Sequence, residues 1–368
     1  MKRLLSLDIL RGLTVFGMIL VNNGAGHEHF YPLTHSAWNG LTPCDLVFPF
    51  FLFMVGVSIP MSSKTSLTKV LWRSIKMFAL GVALHAWDMW IGGHDDILAN
   101  LRLWGVLERI ALCYLAVGVY QYYARRNGWS VKVLWTTAIS LLVGYAIILL
   151  LGNGYAQDET NLACIIDRAL VGEAHLYHKS PIDPEGLLGT IPSIAHTMIG
   201  LYVGLIVKEK IAISERLLRL FTLSSLLLVV GFLLSFGFPL NKRIWSPSYV
   251  LVTCGLACAL LGLLIRYVDN EETSAKPRTS LIAPFRSFAD GSFYLFRCFG
   301  LNAIALYVLS EGLAPVFWHF NLGGHMTDYL LSIGFTPQFA SLSYALSFDA
   351  LMALIAVGMY KTKLFIKL

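Results

Sequence analysis

Two short stretches near the N-terminus concentrate the side chains best suited to moving a proton. The first runs Val21-Asn22-Asn23-Gly24-Ala25-Gly26-His27-Glu28-His29, and the second runs His35-Ser36-Ala37-Trp38-Asn39-Gly40-Leu41-Thr42-Pro43-Cys44-Asp45. Imidazole, with an ordinary pKa of about 6.5, is the side chain matched to general acid–base work near neutrality. His27 and His29 flank Glu28 and invite a metal reading. HEH lacks the HExxH spacing, however, and no cysteine supplies a further ligand, so no metal is expected and both are read as solvated loop histidines. His35 differs, because a helix start follows it: Thr42 reads as the N-cap, Pro43 as the first helical position and Asp45 as the third, close to a capping box. Asp45 therefore either caps that helix or orients His35, and the two roles are compatible. A helix start of this kind also offers free N–H groups and a partial positive charge to a developing oxyanion. Asn22 is either a polar helix end or a donor to a carbonyl oxygen.

Further ionisable groups interrupt apolar runs, where each costs about 2.5–3.5 kcal/mol to insert and so requires a partner or a function. Asp8 and Arg11 are three apart on one helical face and can neutralise each other. Glu108 and Arg109 are neighbours, so they point roughly 100° apart and need separate partners. His85 and Asp88, at i and i+3 between Trp87 and Trp90, form a second candidate acid–base pair. Glu311, Asp290, Arg297, His196 and Asp349 are left as members of a polar interior. Three more stretches set polar groups beside glycine or proline at helix ends: Asp183-Pro184-Glu185-Gly186, Leu240-Asn241-Lys242-Arg243-Ile244-Trp245-Ser246, and Gly300-Leu301-Asn302. No Walker loop or GxGxxG turn is present, which removes the usual nucleotide fingerprints.

The elements that must position these residues are membrane helices. The 368-residue chain is 56% apolar and only 14% charged, with mean hydropathy +0.65, against about 25% charged residues in soluble chains. Windows of about 20 apolar residues predict an all-α polytopic protein with ten spans, near 5–25, 43–62, 70–91, 103–124, 131–151, 190–207, 219–238, 248–267, 294–317 and 337–360. The first is kept as a span rather than a cleaved leader, because Asp8 and Arg11 interrupt it and no small-residue cleavage site follows. With the N-terminus inside, 20 of the 28 basic residues fall on the cytoplasmic side, five outside and three within spans, which predicts an N-in, C-in inner-membrane protein. That clustering also disfavours a nucleic-acid partner and makes the lipid bilayer the partner. We expect one domain over 1–368, with a long polar outer segment at 152–189 and an inner linker at 268–290. The six cysteines show no disulfide framework or paired zinc motif.

In order along the chain, SLDILRG at 6–12, HSAWNGLTPCDLVFPFFLFMVG at 35–56, GVLERIALCYL at 105–115, DPEGLLGTIPSI at 183–194, LNKRIWSPSYVL at 240–251 and GLNAIALYV at 300–308 resemble the heparan-α-glucosaminide N-acetyltransferase family. The second segment is long and compositionally odd, and so the most specific. The resemblance implies a polytopic enzyme that takes acetyl from acetyl-CoA on the cytoplasmic side and delivers it to the amine of a glucosamine-type sugar on the far, periplasmic side. By it His35 matches the catalytic histidine, with Asn22 and Asp45 as its site neighbours; the Asn22–His35 spacing is about two residues longer than in the lysosomal enzymes. The luminal domain of those enzymes and the helix after it are not matched, so ten helices rather than eleven are expected. Members of the family tend to pair, which makes a homodimer the expected assembly.

Acyl transfer needs an unprotonated amine near the thioester, a base for its proton and donors aimed at the tetrahedral oxyanion. We assign His35 as base, Asn22 as donor and Asp45 as orienting group. Arg11, Arg109, Asn302 and Ser246 are expected on acetyl-CoA, with Arg11 and Arg109 lining the path of its pantetheine arm. Trp38, Asn39, Glu185, Trp245 and Lys242 are expected on the acceptor sugar. Two other readings share many of these features: an amino-sugar transporter and an O-acyltransferase of an envelope glycan.

Overall fold

A computed structural model describes residues 4–26, 28–62, 66–177, 181–269 and 283–366. His27 and the greater part of the expected 268–290 linker lie outside the described residues. The helices are α1 (Leu5–Asn22), α2 (Val47–Ser58), α3 (Leu67–Ile91), the short α4 (Ile97–Asn100), α5 (Val106–Asn127), α6 (Val131–Leu151), α7 (Leu162–Val171), α8 (Thr190–Lys208), α9 (Ile213–Leu234), α10 (Pro247–Leu264), α11 (Ala283–Leu301), α12 (Ala303–His319), α13 (Leu322–Ser332) and α14 (Pro337–Lys361). Among the described residues there is no strand, so the chain is all-helical.

Among the described residues seven helices are long and apolar enough to cross a membrane, and an eighth span is counted if the bent pair α11–α12 is taken as one. The ten expected spans therefore stand at seven or eight by length and composition. The expected spans at 70–91 and 103–124 are helical as α3 and α5, but Lys76, His85 and Asp88 in one, and Glu108 and Arg109 in the other, dilute their apolar character. The expected span at 294–317 is broken at Asn302, where the two helices meet at 81°. The Asn302 carboxamide donates to Leu364 O (3.0 Å) and accepts from Ile366 N (3.0 Å), so the break is fixed by the C-terminal segment.

The chain packs as two compact units. One comprises residues 1–35, 42–47 and 259–368. In it α1 lies along α11, and the approach is backbone to backbone: a Cβ at Gly12 would collide with Phe296 O, and one at Gly300 with Asp8 O. Phe16 sets its ring edge-on to Phe296 and Phe299, with centroids 5.7 and 5.9 Å away. The first turn of α1 is capped from a distance, since Leu5 N and Ser6 N each donate to the Asp269 carboxylate at 3.1 Å, satisfying amides that the helix itself leaves open.

The other unit comprises residues 36–41 and 48–258. Its central helix is α8, whose Ala195, Ile199, Leu201 and Val203 are fully buried. By contrast α6 exposes Ile139, Val143, Ile147 and Leu150, and α9 exposes Leu226, Val229 and Leu233. Exposed aliphatic rows of this kind suit hydrocarbon, not water. The polar segment 152–189 carries α7, whose first turn is capped by Asn161 accepting from Ala163 N at 2.9 Å. Tyr145, Leu149, Ala163, Cys164, Leu188 and Ile244 form a buried cluster beneath it.

Candidate active site

The first unit contains His35, Asp45 and Asn22, and of these it brings His35 and Asp45 into contact. Thr42 and Asp45 form the anticipated capping box, on a 3₁₀ turn (Pro43–Leu46) that leads into α2. Asp45 Oδ2 accepts from Thr42 N at 3.1 Å and lies 3.0 Å from the Thr42 hydroxyl, which also reaches Thr34 O at 2.7 Å. That leaves Oδ1 to face His35 Nδ1 at 2.8 Å. The Asp45 side chain is fully buried while the imidazole is 51% exposed. A buried, anchored carboxylate that accepts from Nδ1 fixes the tautomer, so the basic lone pair sits on Nε2, the geometry of a general base with its orienting partner. Asp45 thus caps the turn and orients the histidine together. Cys44 Sγ lies 3.1 Å from the same Nδ1, a contact not foreseen in the sequence.

Asn22 is the last residue of α1, and its Nδ2 donates to Glu311 Oε1 on α12 at 3.2 Å. Glu311 was expected only somewhere in a polar interior; no local signal links residues 289 apart. Arg11 pairs with Asp8 at 3.2 Å, the expected i, i+3 neutralisation. Eleven positions separate Arg11 from Asn22 on α1, roughly 16 Å along its axis. Asn302 spends both ends of its carboxamide on the C-terminal backbone. Of the HEH residues that are described, His29 Nδ1 lies 2.7 Å from Ser341 Oγ and Glu28 accepts from Gln338 at 2.6 Å. These two residues engage the start of α14 rather than bulk water.

The second unit gathers the other candidates around a turn. Trp245 is buried with φ +53°, a left-handed backbone that a bulky residue adopts only when its surroundings demand it. The demand is visible: Trp245 N donates to Lys242 O (3.1 Å), Ser246 Oγ accepts from Asn241 N (3.1 Å), and Tyr145 OH donates to Ile244 O (2.5 Å). Asn241 Nδ2 then donates to Asn39 Oδ1 at 3.1 Å, and Trp38 Nε1 donates to Tyr155 O at 3.1 Å. The Arg109 guanidinium stands 5.3 Å from the centre of the Trp245 ring and donates through Nη2 to Gly186 O at 2.7 Å. Its Nε and Nη1, together with Trp245 Nε1, are buried donors without an acceptor among the described residues. Buried donors of this kind are rare and mark either a bound water or the place of a ligand oxygen.

Glu185 and Asp183 share Arg102, which donates to them at 2.8 and 2.7 Å. Burial pushes the Glu185 carboxyl up, but the charges of Arg102, Arg109 and Lys242 outweigh it and hold the group below the usual carboxylate range. Asp167 is moved the other way. Burial raises its pKa to about 6, assisted by the Asp183 charge and opposed by the amide of Leu187, which donates to it at 2.8 Å.

Glu108 and Arg109 face different surroundings, as their angular offset requires: Arg109 reaches Gly186 O, while Glu108 lies beside His85. For His85 the structure adds a carboxylate that the sequence did not suggest: Glu108 on α5 lies 3.9 Å from Nε2. Local spacing could not reveal a partner supplied by helix packing.

The Heparan-alpha-glucosaminide N-acetyltransferase, catalytic family model matches residues 3–217. The chain is 29% identical over 432 aligned positions to the heparan-alpha-glucosaminide N-acetyltransferase of Mus musculus, with all of this chain and 61% of that protein covered. To the Homo sapiens protein of the same name it is 29% identical over 328 positions, covering 73% of this chain and 49% of the relative. The chain thus spans between half and three-fifths of the length of these relatives.

Proposed function

This chain belongs to the heparan-alpha-glucosaminide N-acetyltransferase family, and from that premise we propose that it is a membrane acetyltransferase moving acetyl from acetyl-CoA to the amine of a glucosamine-type sugar. The observation that carries the reading is the His35–Asp45 couple: a half-exposed imidazole held at 2.8 Å by a fully buried carboxylate. In the reaction the amine nitrogen forms a bond to the thioester carbonyl carbon and the carbon–sulfur bond breaks. His35 Nε2 takes the proton that the amine loses and returns it to the departing thiolate. Asn22, tied to Glu311, supplies a carboxamide donor for the carbonyl oxygen.

We place acetyl-CoA on the cytoplasmic face and the acceptor on the periplasmic face of the inner membrane, with N- and C-termini inside. The distribution of lysine and arginine supports that orientation. Arg11 is the favoured contact for acetyl-CoA. Trp38, Asn39, Lys242, Trp245 and Glu185 remain the acceptor-binding candidates, supported by the aromatic faces, carboxamide and charges of their own unit. Arg109, Asn302 and Ser246 remain acetyl-CoA candidates; Ser246 and Asn302 also hold turns, and Arg109, which donates to Gly186 O, keeps buried donors for a ligand oxygen. A homodimer is the proposed assembly.

The test is purified protein in detergent with acetyl-CoA and a panel of amino sugars, following free thiol release. Amine-dependent thiol release supports the reading. Movement of labelled glucosamine without consumption of acetyl-CoA would establish a carrier, and acetylation confined to hydroxyl groups an O-acyltransferase.

A further inference from the structure

Glu108 on α5 is buried to 1% exposure, and neither carboxylate oxygen has a hydrogen-bond partner from another residue among the described residues. The group nearest to it in charge and chemistry is His85 on α3, whose Nε2 lies 3.9 Å from Oε1. Two glycines make the room for this couple. A Cβ at Gly81 would stand 2.5 Å from Glu108 Cδ and Oε1, and one at Gly105 would stand 2.7 Å from Oε2 and closer still to His85 Nε2. Helices α3 and α5 are therefore shaped around an acid and an imidazole, not around apolar side chains.

The charges facing the couple are Arg102, Asp183 and Glu185 of the outer segment. Arg102 is already committed to the two carboxylates, at 2.7 and 2.8 Å, so the positive charge it lends to Glu108 is divided among three acids and opposed by the other two. An anionic carboxylate in this position would have no hydrogen-bond donor from another described residue and only a share of the Arg102 charge, and burial makes that costly. One proton removes the conflict.

We propose that Glu108 and His85 form a proton-binding site, holding one exchangeable proton between carboxyl and imidazole at neutral pH. The proton is taken up from and returned to solvent, forming or breaking a carboxyl O–H or an imidazolium N–H bond; at 3.9 Å the two groups share its charge and are not hydrogen-bonded to each other. The site is independent of the acetyl-transfer reading, and its test needs no acetyl-CoA.

The experiment is infrared difference spectroscopy of the full chain in lipid at pH 7, in ordinary and in heavy water, comparing wild type with Glu108→Gln. The isosteric variant is chosen because it preserves the packing against Gly81 and Gly105. The proposal expects the wild type to show the C=O stretch of a protonated carboxyl that is lost in Glu108→Gln, that shifts in heavy water, and that moves again in His85→Ala. If Glu108→Gln removes only a carboxylate band, or if His85→Ala leaves the carboxyl band where it was, the proposal is overturned.

Discussion

Asp45 Oδ1 lies 2.8 Å from His35 Nδ1, and the two side chains differ sharply in exposure, fully buried against half-exposed. The acid is secured on its other side by Thr42, so it can orient the base without being drawn into solvent. The substitution Asp45→Asn tests this division of labour. An amide can present its NH₂ to the ring and favour the tautomer with the proton on Nε2, where it blocks catalysis. We expect turnover to fall by about 10²-fold or more, with the thermal midpoint changed much less. Steady-state kinetics together with a melting curve would separate the two effects.

The contact of Asn22 with Glu311 predicts a graded pair of variants. Glu311→Gln keeps an oxygen acceptor for Asn22 Nδ2 and should leave turnover within a few-fold of wild type. Glu311→Ala removes the acceptor and frees the carboxamide to rotate, at about 1–2 kcal/mol or roughly tenfold in kcat. Equal loss in both variants would show that the negative charge, and not the hydrogen bond, is what Asn22 requires.

Asp167 sets a pH dependence on the stability of the outer segment. Its folded pKa is raised, principally by burial, to about 6, so the folded state binds a proton that the unfolded chain has already released between about pH 4 and pH 6. The contribution is complete below that window and is lost as pH rises through about 6, on the order of 2 kcal/mol. Asp167→Asn keeps the oxygen that accepts from Leu187 N and should flatten the dependence. Thermal midpoints at pH 4.5 and pH 7.5 for both proteins provide the measurement.

The crossing of α1 and α11 predicts that Gly12→Val is severely destabilising, since the new side chain meets backbone that cannot yield. A cost above about 3 kcal/mol is expected, read as loss of monodisperse protein after extraction. Gly144, where an added Cβ would meet nothing within 4 Å, supplies the control: Gly144→Ala should be neutral or slightly stabilising, because it adds helix propensity without contact.

What could be read from sequence was what depends on local spacing. The helices Val131–Leu151 and Pro337–Lys361 follow directly from uninterrupted apolar windows, and the Thr42–Asp45 cap from its four-residue pattern. His35 was legible for the same reason, because Asp45 is only ten positions away. The break at Asn302 was not, since a single asparagine inside an apolar run carries no stop signal; Leu364 and Ile366, more than sixty residues later, hold it. Helix α7 was hidden in a polar segment because ten residues give too short a period to stand out. The partners of Asn22 and His85 were equally out of reach. Each is chosen by helix packing, Glu311 lying on α12 and Glu108 on α5.

The most direct test of the central claim is amine-dependent thiol release by His35→Ala, measured beside binding of labelled acetyl-CoA to the same protein. If His35 is the base, turnover falls by about 10²–10⁴-fold while acetyl-CoA still binds. Wild-type turnover in the variant would contradict the account.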